Sequence, residues 1–395
     1  MLIAVRGGGH SVPGKGTCDD GLVIDLSHMK SIRVDPTRQT ARVEPGATWN
    51  DFDHAGHAFG LATPGGQIST TGVAGLTLGG GFGHLTRKYG LTCDNLLSAD
   101  VVTADGRFLT ASEEENSDLF WALRGGGGNF GVVTSFEFRM HPVNMVYGGP
   151  ICYSIEQADV VLRFYREFIQ YAPEDMNVFF LFFTGPAAPF IPEELQGATM
   201  CALMTCHLGT SEQAERDIQK LREFVPPILD LAGPIPYPAL NSMFDALYPA
   251  GLHHYWKADF VTELTDDSIS AHVEHGPRLD TCDSLSTMHL YPLVGAQQKV
   301  GIHDTAFGYR DADFVHVIVA VGSGPDEMPH QIDWVRSYWD ALHPQSAEGG
   351  YVNFLMDEGE QRVSESYREN YPRLREIKRK YDPDNLFRVN QNIKP

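Results

Sequence analysis

The sequence has no long hydrophobic run, since no apolar stretch approaches the length of about eighteen residues that a membrane-spanning helix needs. Its first residues also lack the basic and apolar regions of a secretory signal peptide. The six cysteines have no C-x-x-C spacing and no histidine partners at zinc-binding intervals, so we expect ordinary buried or half-buried thiols and no metal site. There is no N-x-S/T glycosylation sequon, and these absences together predict a cytoplasmic protein without a membrane segment.

Positive charge is scarce, with 30 lysine and arginine residues against 51 aspartate and glutamate residues and a net charge of −21. A chain of this charge repels polyanions, so we exclude nucleic acid as a partner and expect a small-molecule substrate. Hydrophobic residues make up 42 % of the chain, which is ordinary for a soluble globular protein with two or three domains. The sequence does not indicate the oligomeric state.

Glycine is abundant instead, with 40 residues concentrated in three clusters. The first cluster is Arg6-Gly7-Gly8-Gly9-His10-Ser11, which follows the strand-like stretch of residues 2–5. Residues without a Cβ let the backbone approach a ligand closely and direct its N–H groups towards it, which suits a diphosphate, and Arg6 adds a positive charge. The alternative is a structural turn with an exposed histidine.

The other two clusters are residues 64–83 and 125–131. In residues 64–83 glycine recurs too often for a stable helix or strand, so we predict a segment wrapped around a ligand. Residues 126–131 formally match the G-x-G-x-x-G pattern of dinucleotide-binding turns. That interpretation is rejected because the pattern needs a strand before it and a helix after it, whereas here residues 118–124 are helix-like and residues 132–138 are strand-like.

The remaining pattern predicts an α+β fold. Residues 1–141 consist mainly of short strands, with a hairpin about Asp105-Gly106 and a helix over residues 49–59 that begins near Thr48 or Asn50. Residues 142–350 predict an antiparallel sheet with helices on one side. The other predicted elements are strands over 21–26, 39–44, 177–183, 199–208, 255–264, 286–293 and 314–321, helices over 157–171, 211–224 with Ser211 as cap, 266–275, 331–342 and 363–381, and a proline-rich loop or connector over 226–238.

Four segments in this order resemble the flavin-linked oxidases of the berberine bridge enzyme type, within the vanillyl-alcohol oxidase fold group. They are R-G-G-G-H-S at residues 6–11, T-G-V-A-G-L-T-L-G-G-G-F-G-H-L-T-R-K-Y-G-L-T-C-D-N at 71–95, D-L-F-W-A-L-R-G-G-G-G-N-F-G-V-V-T at 118–134 and K-Y-D-P-D-N-L-F-R-V-N-Q-N-I at 380–393. The resemblance implies a PCMH-type FAD-binding domain in residues 1–141, an antiparallel-sheet substrate domain in 142–350, and a segment over 351–395 that returns to the first domain.

The resemblance also implies FAD as the cofactor, with His10 at the position of the histidine that bonds covalently to the flavin 8α-methyl group. Relatives with a second covalent link carry cysteine where this chain has Ile68, so we predict a single histidyl link. The other residues implied in FAD binding are Arg6, Gly7, Gly8, Gly9, Ser11, Gly66, Thr71, Gly72, Gly75, Gly79, Gly80, Gly83, Gly131, Val132, Tyr351, Asn353 and Asn390.

The catalytic tyrosine of the family is replaced in this chain. Many alcohol-oxidising relatives have a Y-x-N-Y motif whose last tyrosine takes the substrate hydroxyl proton, and here the motif is Tyr351-Val352-Asn353-Phe354. Phenylalanine cannot act as a base, so either another side chain takes the proton or the substrate needs little base assistance. The candidates are Tyr351, Tyr291 and His289, and for the last two the alternative is an ordinary polar residue on a half-buried strand.

The resemblance implies an oxidoreductase that takes hydride from an alcohol or amine-type C–H bond of a sugar, polyketide or alkaloid-like molecule, with O2 as acceptor and H2O2 as product. The alternatives are a dehydrogenase with another acceptor and a flavin-less remnant that binds small molecules or is structural. Tyr153, His254, Tyr255, Trp256 and Tyr291 would suit a sugar or an aromatic ring, although such residues are more often core residues.

Relatives carry a further segment before the R-G-G-G-H-S strand. We therefore expect a truncated chain that lacks an amino-terminal lobe or, if it is complete, weakened FAD binding and an exposed sheet edge.

Overall fold

The computed structural model describes residues 1–281 and 285–395, so Cys282, expected to be an ordinary thiol, lies outside the described residues. No helix in the described part combines the length and the apolar character needed to cross a bilayer. The described cysteines are free thiols, as expected, and they are the half-buried Cys18 and the buried Cys93, Cys152, Cys201 and Cys206.

The amino-terminal part contains a five-stranded antiparallel sheet in the order β3-β4-β8-β6-β7, a parallel pair β1-β2 and a short pair β5-β9. The hairpin predicted about Asp105-Gly106 is confirmed as β6-β7. The elements are β1 Leu2–Arg6, β2 Gly21–Asp25, β3 Ile32–Asp35, β4 Thr40–Val43, α1 Trp49–His57, β5 Leu61–Ala62, α2 Val73–Leu78, α3 Thr86–Tyr89, β6 Leu96–Val102, β7 Phe108–Ser112, α4 Ser117–Leu123, β8 Val132–Arg139 and β9 His141–Pro142.

The second part is built on an eight-stranded antiparallel sheet in the order β13-β10-β12-β11-β16-β17-β15, with β14 also paired to β10. The carboxy-terminal segment adds two helices. The elements are β10 Met145–Ser154, α5 Ala158–Tyr171, β11 Met176–Thr184, β12 Thr199–His207, α6 Ser211–Glu223, β13 Leu229–Asp230, β14 Gly233–Pro236, α7 Tyr237–Asn241, β15 His253–Val261, α8 Asp266–His275, β16 Thr287–Pro292, β17 Phe314–Gly322, α9 Met328–Leu342, α10 Gly359–Tyr367 and α11 Tyr371–Tyr381.

Both faces of the large sheet are covered. Because side chains alternate along a strand, Phe180 of β11 packs with Tyr165 of α5 on the helix-covered face, while Phe179 packs with Phe82 and Leu85 of the amino-terminal part. All nine residues of β11 are therefore buried. The sheet places one face against the glycine-rich segments, and the α+β fold with a mainly antiparallel sheet is as predicted.

One sequence prediction is wrong in the second glycine cluster, which contains the helix α2. Only Gly75 lies inside this helix, while Gly72 and Gly79 flank it. The prediction used the glycine content of the whole segment, and so it missed six consecutive residues with a single glycine that can form a helix.

Three further predictions need correction. Thr210, rather than Ser211, caps α6, because its side chain accepts a hydrogen bond from the backbone N–H of Gln213. The proline-rich connector over residues 226–238 forms the short edge strands β13 and β14. The single helix predicted over residues 363–381 is two helices, because Arg368 has a φ of +51° and Pro372 has no N–H to continue the hydrogen-bond series.

Candidate functional site

The loop after β1 depends on contacts that only glycine allows. A Cβ on Gly8 would lie 2.4 Å from the Cα of Gly72, and a Cβ on Gly7 would lie 2.8 Å from the carbonyl oxygen of Pro45. Gly9 has a φ of +73°, in the left-handed region that favours glycine. The first and second glycine clusters therefore contact each other backbone to backbone.

His10 follows this loop and is half-buried. Its Nε2 lies 3.5 Å from Oγ1 of Thr71. Burial lowers the pKa of His10, and this effect is opposed by a backbone hydrogen bond and by the carboxylate of Asp245. The imidazole is therefore neutral at pH 7 and retains a nucleophilic lone pair.

The turn that carries Thr71 is fixed from two sides. On one side, at the start of α1, the N–H of Asn50 donates to the carbonyl of Ser69 at 2.7 Å and that of Trp49 donates to the carbonyl of Thr71 at 2.9 Å. On the other side, Asp245 accepts hydrogen bonds from the backbone N–H of Ser69 at 2.8 Å and from its hydroxyl at 2.5 Å. Both parts of the chain thus hold the turn beside His10.

The carboxy-terminal segment is pinned to the third glycine cluster. The buried Lys378 donates to the carbonyl of Asn129 at 2.8 Å and to the carboxylate of Asp382 at 2.6 Å. Asn390 donates through Nδ2 to the carbonyl of Gly128 at 3.0 Å. These contacts join the carboxy-terminal segment to the amino-terminal part.

A cavity of about 320 Å³ lies between these three segments and the large sheet. Arg6 and Lys15 line it at the loop end, and Lys15 donates to the carbonyl of Asn390 at 3.0 Å. The predicted site residues that line it are Arg6, Gly7, Gly8, Gly9, His10, Ser11, Gly66, Thr71, Gly72, Gly75, Gly131, His289, Tyr291, Tyr351, Asn353 and Asn390.

Four predicted cofactor-binding residues, Gly79, Gly80, Gly83 and Val132, are not among the lining residues. The three glycines allow close packing against residues around the cavity. An added Cβ would lie 2.3 Å from Asn353 at Gly79, 2.8 Å from Phe307 at Gly80 and 2.0 Å from Gly65 at Gly83. Val132 is buried in a small apolar cluster that includes residues of β1 and of the carboxy-terminal segment. Direct contact of these four residues with the cofactor stays a prediction.

The other end of the cavity is lined by side chains of the large sheet, including His289 and Tyr291 of β16 and Trp256 of β15. His289 Nε2 lies 3.0 Å from the hydroxyl of Tyr248 and 2.9 Å from that of Thr287. Burial lowers the pKa of His289 to about 3 and raises the pKa of Tyr248 to about 12. Burial also raises the pKa of Tyr291 well above its usual value, so the titratable groups named here are neutral at pH 7.

The hydroxyl oxygen of Tyr351 accepts two hydrogen bonds, from the N–H of Gly81 at 2.9 Å and from Nδ2 of Asn353 at 2.8 Å. Burial raises the pKa of Tyr351. The hydroxyl thus ties the second glycine cluster to the Tyr351-Val352-Asn353-Phe354 motif, which favours a positioning role over that of a base. The ring of Phe354 lines the cavity, 5.6 Å from the ring of Trp256.

The aromatic residues considered for substrate contact lie on different faces of the large sheet. Trp256 lines the cavity, and His254 lies near enough to His10 for the charge of His10 to lower its pKa, although burial is the larger cause. Tyr153 and Tyr255 belong to the helix-covered face, where the hydroxyl of Tyr153 donates to the carbonyl of Leu221 at 2.6 Å. Neither Tyr153 nor Tyr255 is among the residues that line the cavity, which favours the alternative of a core or sheet-face residue for both.

The sequence did not reveal several residues of the site. Lys15 could have been found, since it follows the first cluster in a loop with two further glycines, Gly14 and Gly16. Asp245 and Tyr248 have no such local signal, and Asp245 reaches its partner Ser69 across 176 positions of the chain.

FAD, the cofactor implied by the sequence, fits this site. The loop end of the cavity suits a diphosphate. Its wall is formed there by the backbone of Gly8 and Gly72 and by the basic residues Arg6 and Lys15. The neutral aromatic end suits a planar ring and an organic substrate. His10 also lines the cavity, and both Thr71 of the second glycine cluster and His254 of β15 interact with its imidazole.

Comparison with family models identifies two matches. Residues 1–112 match a model described as FAD binding domain, and residues 350–394 match one described as berberine and berberine like.

Comparison with individual proteins extends over nearly the whole chain. It is 33 % identical to an FAD-linked oxidoreductase of Dictyostelium discoideum, in an alignment that covers 99 % of this chain and 83 % of that protein. It is 30 % identical to (R)-6-hydroxynicotine oxidase of Paenarthrobacter nicotinovorans, over 100 % of this chain and 86 % of that one. The crystal structure of 6-hydroxy-D-nicotine oxidase from Arthrobacter nicotinovorans superposes with a TM-score of 0.85 at 29 % identity, covering 100 % of this chain and 87 % of that chain.

The structure of berberine bridge enzyme from Eschscholzia californica has the same fold, with a TM-score of 0.85 at 23 % identity over 100 % of this chain and 85 % of that chain.

Proposed function

Because the chain belongs to the berberine bridge enzyme-like FAD-linked oxidases, we propose that it takes hydride from a C–H bond next to oxygen or nitrogen in a small organic substrate. The electrons pass through a covalently bound flavin to O2, giving H2O2. The observation that carries the proposal is the cavity that joins the loop of His10 to the aromatic face of the large sheet. Bound FAD supplies the hydride acceptor, and the chain supplies binding, orientation and proton handling.

The covalent link is assigned to His10. Its imidazole is half-buried, neutral at pH 7 and oriented by Thr71, as a nucleophile must be. Ile68 lines the cavity where a second link would need a cysteine, so the link is single. Arg6 and Lys15 bind the diphosphate at the loop end.

The proton-accepting role is assigned to His289. Of the three candidates, Tyr351 is held as an acceptor by Gly81 and Asn353, and Tyr291 is a buried phenol that keeps its own proton at pH 7 and so cannot take the substrate proton. Neutral His289 has a lone pair, and its Nε2 lies against the Tyr248 hydroxyl. Because burial makes this imidazole a weak base, the assignment favours a substrate whose own proton is easily lost.

The substrate end of the cavity favours a neutral organic ring. Trp256, Tyr291 and Phe354 present aromatic surfaces there. Several relatives with solved structures are named for sugar or alkaloid substrates, among them a chitooligosaccharide oxidase at 24 % identity, which supports the fold of this chain but not a substrate. We therefore place sugars, polyketides and alkaloid-like alcohols or amines in one test panel.

The decisive experiment measures the flavin and the product of one preparation. We expect the purified protein to be yellow, and its flavin to stay with the polypeptide after acid precipitation in the wild type but not in His10→Ala. Incubation with the substrate panel should release H2O2 in air, and an artificial electron acceptor should not be required. Colourless protein after expression with excess riboflavin would overturn the oxidase, and turnover only with the artificial acceptor would make it a dehydrogenase.

A further inference from the structure

We propose that Asp245 is a positioning residue for covalent flavin attachment at His10. It belongs to the large-sheet part of the chain, yet it holds the turn that orients the histidine and places a negative charge beside the imidazole. This inference rests on the proposed histidyl link. It assigns a role in building the cofactor site to a residue outside the glycine-rich segments.

The contact of Asp245 with the turn is bidentate. One carboxylate oxygen lies 2.8 Å from the backbone nitrogen of Ser69 and the other lies 2.5 Å from its hydroxyl oxygen. Ser69 is 2 % exposed, so these charge-assisted hydrogen bonds are shielded from water. Loss of the carboxylate would leave a buried N–H and a buried hydroxyl without their acceptor.

The turn transmits this constraint to His10. Its backbone closes with a hydrogen bond from the N–H of Thr71 to the carbonyl of Ile68 at 3.1 Å. The hydroxyl of Thr71 is in turn 3.5 Å from Nε2 of His10. Asp245 therefore fixes the position of the residue that orients the imidazole.

The carboxylate also acts through its charge. In the attachment reaction one C–H bond of the flavin 8α-methyl group and the N–H bond of the imidazole are broken, one N–C bond is formed, and two electrons and two protons pass to O2 as H2O2. The imidazole carries positive charge after the N–C bond forms and before its N–H proton leaves. Of the charged or titratable groups that interact with His10, Asp245 stabilises this charge and His254 of β15 opposes it when protonated.

The test follows covalent attachment rather than turnover. Full-length apoprotein is produced under riboflavin limitation, FAD is added, and the flavin that survives acid precipitation is measured against time and pH and located by mass spectrometry of the His10 peptide. The variants are Asp245→Asn, Asp245→Glu and Thr71→Val. Asp333→Asn, which removes an exposed carboxylate on α9, is the control.

We expect Asp245→Asn to slow attachment by about tenfold, the size of effect that one charge-assisted hydrogen bond produces. Asp245→Glu restores the charge and recovers part of the rate, Thr71→Val also slows attachment, and Asp333→Asn equals the wild type. Because Asp245 raises the pKa of His10, its removal shifts the acid limb of the attachment rate to lower pH while the maximal rate falls. A purely structural role would lower the rate without this shift.

Three results overturn the inference, and they are distinguishable. If the wild type attaches FAD at His10 and Asp245→Asn attaches it at the same rate, Asp245 has no positioning role and the proposed function stands. If the wild type binds FAD without a covalent link, both the histidyl link and this inference fail. Should Asp245→Asn not fold, as judged by circular dichroism, a wild-type attachment rate in Thr71→Val would overturn the inference, because that variant removes the hydroxyl through which Asp245 orients His10.

Discussion

The two ends of the cavity are built in opposite ways. At the loop end, backbone lies against backbone at Gly8 and Gly72, and basic side chains line the cavity. At the sheet end, buried neutral side chains of β15 and β16 form the wall. The loop end therefore binds an anionic group mainly through its backbone geometry and positive charge. At the sheet end, particular side chains determine which substrate binds and how its proton is removed.

The difference extends to what supports each end. The glycine-rich segments of the loop end are held by hydrogen bonds from residues distant in the sequence. These are Lys378 and Asn390 of the carboxy-terminal segment and Asp245 of the large-sheet part. The sheet end is held by strand pairing and by packing on both faces of the sheet. Substitutions should therefore affect cofactor binding and stability at the loop end, and turnover at the sheet end.

The largest effect is expected from Lys378→Met, which removes the support of the loop end. It leaves Asp382 buried without its partner, so we expect a loss of about 3–5 kcal/mol in the free energy of unfolding. Lys394→Met is the control, because that lysine is 56 % exposed and its ion pair is worth at most about 1 kcal/mol. Urea unfolding measures both, and equal losses would show that the buried pair has no special role.

At the sheet end, His289→Ala should lower kcat/KM by about a hundredfold, the size expected for the loss of a proton acceptor. Tyr291→Phe should have a smaller effect and Tyr351→Phe should mainly weaken flavin binding. Because burial lowers the pKa of His289 to about 3, the wild-type profile should show no loss of kcat/KM from this group between pH 8 and pH 5. Full turnover in His289→Ala would refute the assignment of His289 as the base.

Two glycines of the loop end should respond differently to alanine. Gly8→Ala places a Cβ 2.4 Å from Gly72 and should destabilise the apoprotein by about 1–3 kcal/mol. At Gly75, which lines the cavity, a Cβ meets no atom of the described chain within 4 Å, so Gly75→Ala should preserve apoprotein stability and weaken FAD binding.

Gly324→Ala is the control, since a Cβ there also meets nothing within 4 Å in residues 1–281 and 285–395 and Gly324 is not among the residues that line the cavity. Thermal unfolding and FAD titration separate the cases. Equal stability of Gly8→Ala and Gly324→Ala would contradict the close contact between the two clusters.

The comparison of the two ends also explains what the sequence could predict. The loop end was accessible because its determinants are local: three consecutive glycines followed by His10, and a hairpin at Asp105-Gly106 set by its own turn residues. The helix α8 was predicted over its observed residues because its polar start and apolar spacing are likewise local. The hairpin and the helix need no knowledge of the rest of the chain, whereas the role of His10 was implied only by the resemblance that all four segments carry together.

The sheet end depends on contacts between distant residues. Tyr248 and His289 meet across 41 positions, and nothing near Tyr248 in the sequence indicates that meeting. Alternation along β15 decides that Trp256 lines the cavity and Tyr255 does not, but the pattern alone does not tell which face of the strand meets the cavity. The break between α10 and α11 was missed because a positive φ at Arg368 is imposed by tertiary packing rather than by helix propensity.

The smallest effect is expected where the two parts of the chain meet away from the cavity, between α1 and α7. The buried Asp53 accepts a hydrogen bond from Nδ2 of Asn241 at 2.6 Å, and burial raises its pKa to about 7 from the ordinary 3.8. In the unfolded chain the carboxyl ionises at its ordinary pKa, so the folded state loses stability as the pH rises from about 4 to 7 and the loss is complete above that range.

Asp53→Asn removes this loss while preserving a side-chain acceptor for Asn241, and its amide can also donate to Oδ1 of Asn241, which has no hydrogen-bond partner among the residues that the structure describes. We therefore expect Asp53→Asn to be more stable than the wild type by about 2 kcal/mol at pH 8 and nearly equal to it at pH 4.5. Asp53→Ala, which removes the acceptor as well, should be less stable at pH 4.5. Because the buried histidines titrate identically in all three proteins, urea unfolding at the two pH values isolates this carboxyl, and a pH-independent difference between Asp53→Asn and the wild type would show that Asp53 ionises freely in the folded chain.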